Sequence, residues 1–222
     1  MSQTPEEIAL ERIQKAVESG ANELDLSKLN LKSLPPEIGQ FTNFTQLNLS
    51  KNLLTSLPLE ITQLKKLSQL NLSDNPLNSL PSEIGQLQNL SQLELSRNSL
   101  LTGLPPEIGK LQNLSQLELF GCRLTILPAE LWGLPILRKL DISYNRLKKI
   151  PDELWQKKDW ELLGLSGLNL SSLPPEISHF KNLTTLSLSS NQLTSLPPEI
   201  VQLTNLTTLS LSSNQLTSLP PE

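Results

Sequence analysis

Residues 70–87 read LNLSDNPLNSLPSEIGQL, and this segment opens with a pattern, L-x-L-x-x-N-x-L-x-x-L-P, that returns nine times with substitutions. The first leucine of each copy lies at Leu24, Leu47, Leu70, Leu93, Leu117, Leu140, Leu163, Leu186 and Leu209. Successive copies are 23 residues apart, except that 24 residues separate Leu93 from Leu117. A fixed period of this length is typical of a solenoid of stacked supersecondary units. The 222 residues therefore predict one elongated array and not two globular domains.

Each unit predicts a short strand followed by an outer segment. The L-x-L alternation has the period of two that a strand with one buried face requires. The leucine–proline pair that follows, as at Leu80–Pro81, ends the inner segment, because proline has no N–H to donate to a sheet. The next residues, such as Glu83, Ile84 and Leu87, are expected to form about one helical turn. We therefore predict an α/β solenoid shaped as a horseshoe, with a parallel sheet on its concave side.

A column of asparagines follows the predicted strands. Its members are Asn52, Asn75, Asn98, Asn145, Asn191 and Asn214, and Cys122 occupies the same column in the fifth unit. A buried amide can donate to and accept from a turning backbone, whose polar groups would cost about 1–3 kcal/mol each if left unpaired. We interpret Cys122 as a small buried substitute with a weak donor, not as a reactive thiol. Leu29 and Leu168 also stand in this column and cannot make those bonds, so the turns of units one and seven are expected to differ.

Residues 1–22 predict a capping helix in front of the array, which occupies residues 23–222. Thr4 and Glu7 have capping-box spacing, Pro5 suits the first helical position and Gly20 suits the stop, so the helix is expected over residues 4–19. Such a helix would cover the open edge of the first unit. The alternative, an amphipathic helix that docks onto a membrane, is disfavoured by its excess of glutamates over basic residues.

Three features interrupt the regular pattern. The chain stops at Pro221–Glu222 in the middle of a unit, and we expect either a fragment of a longer protein or association with another chain through an uncapped carboxy-terminal edge. Lys157 replaces an apolar residue of its column, and residues 165–177 echo residues 26–38, so a duplication seam is predicted at residues 152–162. Gly103 is expected to form a bulge that lengthens the fourth unit.

Composition and charge argue against nucleic acid and membrane partners. The formal net charge is −4 with a pI near 5.2, and no run of lysine and arginine exceeds two residues, so the chain lacks the basic surface that phosphate binding requires. No apolar stretch approaches the roughly 18 residues of a membrane-spanning helix. The amino terminus also lacks the basic and then apolar layout of a signal peptide.

The spacing P-x-E-I-G-x-L after the leucine–proline pair, as in residues 81–87, resembles one 23-residue class of leucine-rich repeat. Residues 24–222 are similar to the arrays of Ras-pathway scaffold proteins, plant intracellular Ras-group repeat proteins and bacterial Roco GTPases. The resemblance implies a leucine-rich repeat horseshoe, but the matching residues are core positions and imply no particular partner. The chain holds no G-x-x-x-x-G-K-[ST] phosphate loop, so nucleotide chemistry would lie outside it.

Cysteine usage favours a cytoplasmic location. Extracellular relatives of this fold usually clamp their ends with cysteine pairs, whereas Cys122 is the only cysteine of this chain. A reducing compartment therefore fits best.

The sequence argues against an enzyme. His179 is the only histidine, is expected on the convex side, and lies more than two units from Cys122, too far for a cysteine–histidine pair or a shared metal. The serines recur at strand positions without a partnered base. General acid catalysis by carboxylates on an open sheet is disfavoured, since such a surface excludes little water. No catalytic residue, cofactor or metal site is predicted.

Units four to six depart from the small polar residues that dominate the predicted concave surface. The candidate partner-binding residues are Glu94, Arg97, Glu118, Phe120, Lys139, Asp141 and Tyr144. The three carboxylates are expected to stack on adjacent strands about 5 Å apart, with the two aromatic rings beside them and the cations at the margin. An aromatic centre within a charged rim matches the composition of protein-binding hot spots. The alternative is a drifted surface whose charges are neutralised by neighbouring lysine and arginine.

These features lead to two functional hypotheses. The first is a non-enzymatic module that binds a protein or peptide on its concave face. The second is a regulatory or sensor arm of a larger multidomain signalling protein, such as a Roco-type GTPase. A purely structural or engineered array is disfavoured by Cys122, Lys157 and the tryptophans, which a consensus design would have regularised.

Overall fold

The computed structural model describes residues 3–220. Nine parallel three-residue strands form one sheet in chain order. They are β1 (Glu23–Asp25), β2 (Gln46–Asn48), β3 (Gln69–Asn71), β4 (Gln92–Glu94), β5 (Gln116–Glu118), β6 (Lys139–Asp141), β7 (Leu162–Gly164), β8 (Thr185–Ser187) and β9 (Thr208–Ser210). Each central leucine pairs in register with the central leucine of the next strand, as Leu93 does with Leu117. The predicted solenoid with one parallel sheet is confirmed.

Short helical turns lie on the opposite side of the array. Seven are 3-10 turns, at Pro36–Gln40, Leu59–Gln63, Ser82–Gln86, Pro106–Lys110, Ala129–Gly133, Pro175–His179 and Pro198–Gln202. Each follows a proline in extended conformation, which begins the turn without needing an N–H partner. Neighbouring turns approach closely, because a Cβ at Gly85 would lie 2.6 Å from the Glu107 carbonyl oxygen. The glycine of the E-I-G motif therefore permits close stacking.

The core runs the length of the array as repeated layers of leucine and isoleucine. In the fourth unit Leu93, Leu95, Leu101, Ile108 and Leu111 are all fully buried. Burial of each such side chain contributes roughly 1.5–3 kcal/mol. Because every layer contacts only its neighbours, stability is distributed along the chain.

The asparagine column bonds the backbone of adjacent units together. The buried Asn98 amide nitrogen donates to the carbonyls of Leu72 (3.0 Å) and Leu95 (2.7 Å), and its oxygen accepts from the Leu77 N–H (3.2 Å). The same pattern, with two donated bonds and at least one accepted backbone N–H, recurs at Asn52, Asn75, Asn145, Asn191 and Asn214. Each amide thus pairs backbone groups of its own unit and of the unit before it.

The turns of units one and seven differ from the others, as expected from their leucines. Each contains a second left-handed residue, Asn30 (φ 61°) or Asn169 (φ 58°). The asparagine of the following unit compensates, because the Asn52 oxygen accepts from the N–H groups of both Leu29 and Leu31. The Asn191 oxygen does the same in unit seven. A leucine in the column is therefore tolerated when the next asparagine accepts twice.

The extra residue of the fourth unit explains Cys122. The insertion lies in the turn at Ser99–Leu100, and not at Gly103 as the sequence had indicated, because Leu101 occupies the buried column position while Leu100 is exposed. The longer turn lets the Leu101 N–H bond to the Asn98 carbonyl (3.0 Å), whereas equivalent N–H groups need an asparagine oxygen from the next unit. The residue at position 122 therefore needs only a hydrogen-bond donor and no acceptor. The Cys122 thiol supplies it by donating to the Leu95 carbonyl (3.2 Å).

Helix α1 (Pro5–Glu18) packs against β1. Thr4 and Glu7 form the predicted capping box, and Gly20 (φ 68°) follows the helix in a left-handed conformation. The helix buries Ala9 and Ile13, and the Arg12 guanidinium donates to the Asp25 carbonyl (3.1 Å). Val17 of the same helix is exposed.

The predicted seam carries the one convex α-helix among residues 3–220, α2 (Asp152–Gln156). Trp160 is fully buried, and its indole N–H donates to the Leu154 carbonyl (3.0 Å). The half-buried Lys157 side chain donates to the Leu134 carbonyl (3.1 Å), with its amine 5.8 Å from the Trp160 ring. Burial lowers the pKa of this lysine. Trp155 stacks on Phe180 with ring centroids 6.0 Å apart.

At the other end, Leu209 of β9 is 39% exposed and Leu219 is 66% exposed. The ending at Pro221–Glu222, from which a fragment was predicted, lies outside the described residues. Across the described part of the chain, no helix is long and apolar enough to cross a membrane.

Candidate functional site on the concave face

The sheet register gathers the predicted carboxylates into one row. Glu94 pairs with Glu118, Glu118 pairs with Asp141, and the flanking leucines are buried, so the three side chains extend from the same face of β4, β5 and β6. All three residues are half-buried. The Glu118 carboxylate accepts from the Gln116 side-chain amide (3.1 Å), and Asp141 accepts from the Ser143 N–H (2.8 Å).

The cations at the margin of the row form their ion pairs with other carboxylates. Arg97 lies 3.5 Å from Asp74, and Lys139 lies 4.0 Å from Glu161, which also contacts Arg138 at 3.5 Å. Within residues 3–220, none of the three carboxylates in the row forms an ion pair of its own. Burial, followed by repulsion from Asp141 and Glu94, raises the pKa of Glu118 to about 7.

This raised pKa predicts a pH-dependent cost to stability. The neutral form of Glu118 is favoured in the folded chain, so its contribution to stability is present below the ordinary glutamate pKa and is lost as the pH rises through about 7. We expect Glu118→Gln to be more stable than the wild type by on the order of 1–2 kcal/mol at about pH 8, after allowance for solvent screening, and about equal at about pH 4.

Urea unfolding at both pH values measures this difference. Glu130→Gln, an exposed change on a convex turn, serves as the charge-matched control and should leave the pH profile unaltered. If Glu118→Gln increases the free energy of unfolding by the same amount at both pH values, the raised pKa of Glu118 is contradicted.

The aromatic pair lies beside the carboxylate row, where each strand turns outward. The Phe120 and Tyr144 rings meet edge to face with centroids 5.2 Å apart, and the Arg97 guanidinium lies 5.9 Å from the Phe120 centroid. Phe120 is half-buried and Tyr144 is 43% exposed, and the Tyr144 hydroxyl donates to the Ser190 hydroxyl (3.0 Å). This contact extends the cluster from unit five, which contains Phe120, to unit eight, which contains Ser190.

Tyr144 occupies a column that is left-handed in every unit. The members are Lys28, Lys51, Asp74, Arg97, Gly121, Tyr144, Gly167, Ser190 and Ser213, with φ between 55° and 67°. A bulky aromatic residue seldom adopts this conformation, which costs on the order of 1–3 kcal/mol outside glycine. The neighbouring units impose it on Tyr144, whose N–H continues the ladder by donating to the Ser166 carbonyl (2.7 Å).

Two glycines of unit seven leave room for the site, and sequence reasoning missed their role. The Asp141 carboxylate occupies the space that a Cβ at Gly164 would need. The Tyr144 ring lies over Gly167, where an added Cβ would come within 2.6 Å of Tyr144 Cδ1. The only signal in the sequence was that both concave columns change to glycine in the unit after Asp141 and Tyr144.

The residues considered for chemistry lie apart. His179 is exposed at the end of a convex turn. Cys122 is buried, and burial raises the pKa of its thiol to about 11, which keeps it protonated at neutral pH. No group of histidine, cysteine, aspartate and glutamate between residues 3 and 220 could hold a metal ion.

Three family models match the chain, and all three describe leucine-rich repeats. They cover residues 66–87, 88–147 and 181–221 and together account for more than half of the chain. Comparison with curated proteins gives no match.

Solved structures agree with the family models. A leucine-rich repeat protein of Leptospira interrogans is 40% identical over 93% of this chain, with a TM-score of 0.81. The Arabidopsis receptor kinase HAESA, solved with a peptide hormone and a co-receptor, is 31% identical over 91% of this chain, with a TM-score of 0.77. Toll of Drosophila, solved in complex with Spatzle, is 30% identical over 86%, with a TM-score of 0.71.

This chain spans only part of each of these proteins: 59% of the Leptospira chain, 35% of the HAESA chain and 26% of the Toll chain. Their likeness extends over almost all of the present array, and the stacked strands, the asparagine column and the family models agree on the type of repeat. The chain belongs to the leucine-rich repeat proteins.

Proposed function

We propose that this array is a non-enzymatic module that binds a protein or peptide partner on its concave face. The observation that carries the proposal is the pairing of a partly exposed aromatic cluster with a carboxylate row that has no ion-pair partner among the described residues. Aromatic side chains are enriched in binding hot spots, and polar or charged residues form the rim around them. HAESA and Toll, which were solved with a peptide hormone and with Spatzle, support a partner of this kind.

The centre of the site comprises Glu94, Glu118, Phe120, Asp141 and Tyr144, with Arg97 and Lys139 at its margin. The two rings supply apolar area and the row supplies negative charge. The partner is therefore a protein surface with a basic side chain next to an apolar one. We also assign the module to the cytoplasm, which its single free cysteine supports.

The test is capture of partners from cells of the source organism by the wild-type array and by Phe120→Ala/Tyr144→Ala. We expect the double change to weaken binding of a captured partner by about 2 kcal/mol or more, roughly 30-fold, because hot-spot rings supply much of the binding energy. The melting temperature should change little, because neither ring is fully buried.

A matched control removes two exposed apolar side chains from convex turns, Leu59→Ala/Val201→Ala. This control should retain the captured partner. If the concave double variant binds as tightly as the wild type, or if both double variants lose the partner equally, the binding site lies elsewhere.

The second candidate is a regulatory arm of a larger signalling protein, whose contacts are intramolecular. The structural likeness to HAESA, a receptor kinase of which the matched repeats form only a part, supports it. Sequencing past Glu222 tests it: a phosphate loop in the following few hundred residues favours this candidate, and a capping helix with a stop codon rejects it.

A further inference from the structure

A recess lies on the concave face next to the carboxylate row. It is an open groove of about 490 Å³ over β1–β4, lined by outward-facing residues of those strands and by the central leucines Leu24, Leu47 and Leu70. Its floor is a column of half-buried glutamines, Gln46, Gln69 and Gln92, which pair with one another in register. The groove therefore presents one carboxamide per strand, at the spacing of neighbouring strands, about 4.8 Å.

These carboxamides have hydrogen-bonding capacity to spare. Among the described residues, none of the three glutamine side chains makes a hydrogen bond. The parallel column of Asn48 and Asn71 uses its oxygens to accept from the N–H groups of Ser50 and Ser73, which leaves its NH2 groups free to donate. Each carboxamide offers both a donor and an acceptor, so the floor can pair with the alternating N–H and C=O groups of an extended backbone.

Carboxylates stand at both ends of this floor. Glu23 and Asp25 line the groove at β1, and Glu94 lines it at β4, where the row continues to Glu118 and Asp141. The cations Lys28 and Lys51 occupy the left-handed column on the rim, outside the residues that line the groove. The lining is therefore neutral and polar in the middle and negative at each end.

We propose that the groove over β1–β4 binds an extended peptide segment of the partner that carries two basic side chains about four residues apart. The backbone of the segment pairs with the glutamine and asparagine carboxamides, and the basic side chains reach Glu23 with Asp25 at one end and Glu94 at the other. This inference rests on the proposed function and specifies the chemistry of the partner.

The spacing follows from two lengths. Three steps between adjacent strands separate β1 from β4, which amounts to about 14 Å. An extended chain rises about 3.3 Å per residue, so this length corresponds to roughly four residues. A pair of adjacent basic residues would have to extend both side chains in opposite directions along the groove to reach both acidic ends, so it favours contact with one end.

The test uses fluorescein-labelled peptides of serine and asparagine that contain two arginines, measured by fluorescence anisotropy at physiological ionic strength. In one peptide the arginines are four residues apart, in the second they are adjacent, and a third has none. We expect the spaced peptide to bind about fivefold more tightly than the adjacent one, because it forms one more charge contact. The neutral peptide should bind more weakly than either.

The Glu23→Gln/Asp25→Asn variant should abolish the preference for the spaced peptide. Asparagine retains the oxygen that accepts from the Ser27 N–H, so the local turn is preserved. The charge-matched control, Glu130→Gln/Glu176→Gln, changes two exposed convex glutamates and should retain the preference.

Equal binding of the spaced and adjacent peptides, equal losses in both variants, or no binding of the spaced peptide would each overturn the inference. If the neutral peptide binds as tightly as the spaced peptide, the acidic ends of the groove do not contribute to binding. The proposed function fails separately, if partner capture is unaffected by Phe120→Ala/Tyr144→Ala.

Discussion

Trp160→Leu is expected to lower the free energy of unfolding by about 3 kcal/mol. This loss is expected even though the preceding and following units have leucine, Leu137 and Leu183, at the equivalent position. Trp160 is fully buried. The other units have an apolar residue at the position equivalent to the neighbouring Lys157. Because the lysine amine bonds to the Leu134 carbonyl, we expect the larger indole to fill space that an apolar side chain fills in the other units. Replacement by leucine opens a cavity and leaves the Leu154 carbonyl without its indole donor.

The same interpretation predicts rescue by a second change. Lys157→Leu restores the apolar residue of the column, so the double variant should recover about half of the lost stability, a coupling of the kind found between contacting residues. Urea unfolding followed by circular dichroism gives the four free energies of this cycle. Strictly additive changes in the free energy of unfolding would show that the packing of the lysine and the packing of the tryptophan are independent.

Asn98→Ala is expected to destabilise the array by about 3 kcal/mol or more. The change removes three hydrogen bonds at a fully buried position and leaves the Leu77 N–H unpaired in the core, where each unpaired group costs about 1–3 kcal/mol. Urea unfolding of the variant, compared with the wild type under identical conditions, gives the difference.

Asn214→Ala is the matched control for the column. Asn214 makes the same three contacts, but it is half-buried, so water can replace the lost amide. Asn214→Ala should lower the free energy of unfolding by about 1 kcal/mol or less. Similar losses at Asn98 and Asn214 would mean that burial does not set the strength of these bonds.

The period predicted the strand register, the convex turns and the asparagine column because all three depend on residues that recur in each unit. Phe120 and Tyr144 were placed beside the carboxylates by the same column counting, and the structure brings them into contact. The altered turns at Leu29 and Leu168 also followed from the chemistry of one position, since leucine cannot accept a hydrogen bond.

The remaining features depend on contacts between units, which a single repeat does not reveal. The left-handed column contains lysine, aspartate, arginine and tyrosine, so its conformation carries no glycine signal in those units. A ladder of hydroxyls that donate to the preceding unit's backbone, including Thr45, Ser68 and Ser91, appeared in the sequence only as small polar residues. The insertion at Ser99–Leu100 was misplaced because two adjacent leucines compete for one buried position.

The difference between repeated and unit-specific residues shows how such an array can acquire a binding specificity. The buried positions repeat from unit to unit and set the stack, whereas the outward-facing strand positions are free to differ between units, as at Gln116 and Lys139. In units four to six that freedom is used for three acidic side chains and two rings, and in unit seven for the glycines that give them room.

Photo-crosslinking from single positions tests the proposed binding face most directly. A photoreactive amino acid at position 144 on the concave side is compared with one at position 202 on a convex turn, each in the otherwise unchanged chain and exposed to extract of the source organism. We predict a discrete crosslinked partner from position 144 that is absent from position 202 and that excess unlabelled wild-type array suppresses. Crosslinking of the same partner from position 202 alone, or equally from both, would contradict recognition by the concave face.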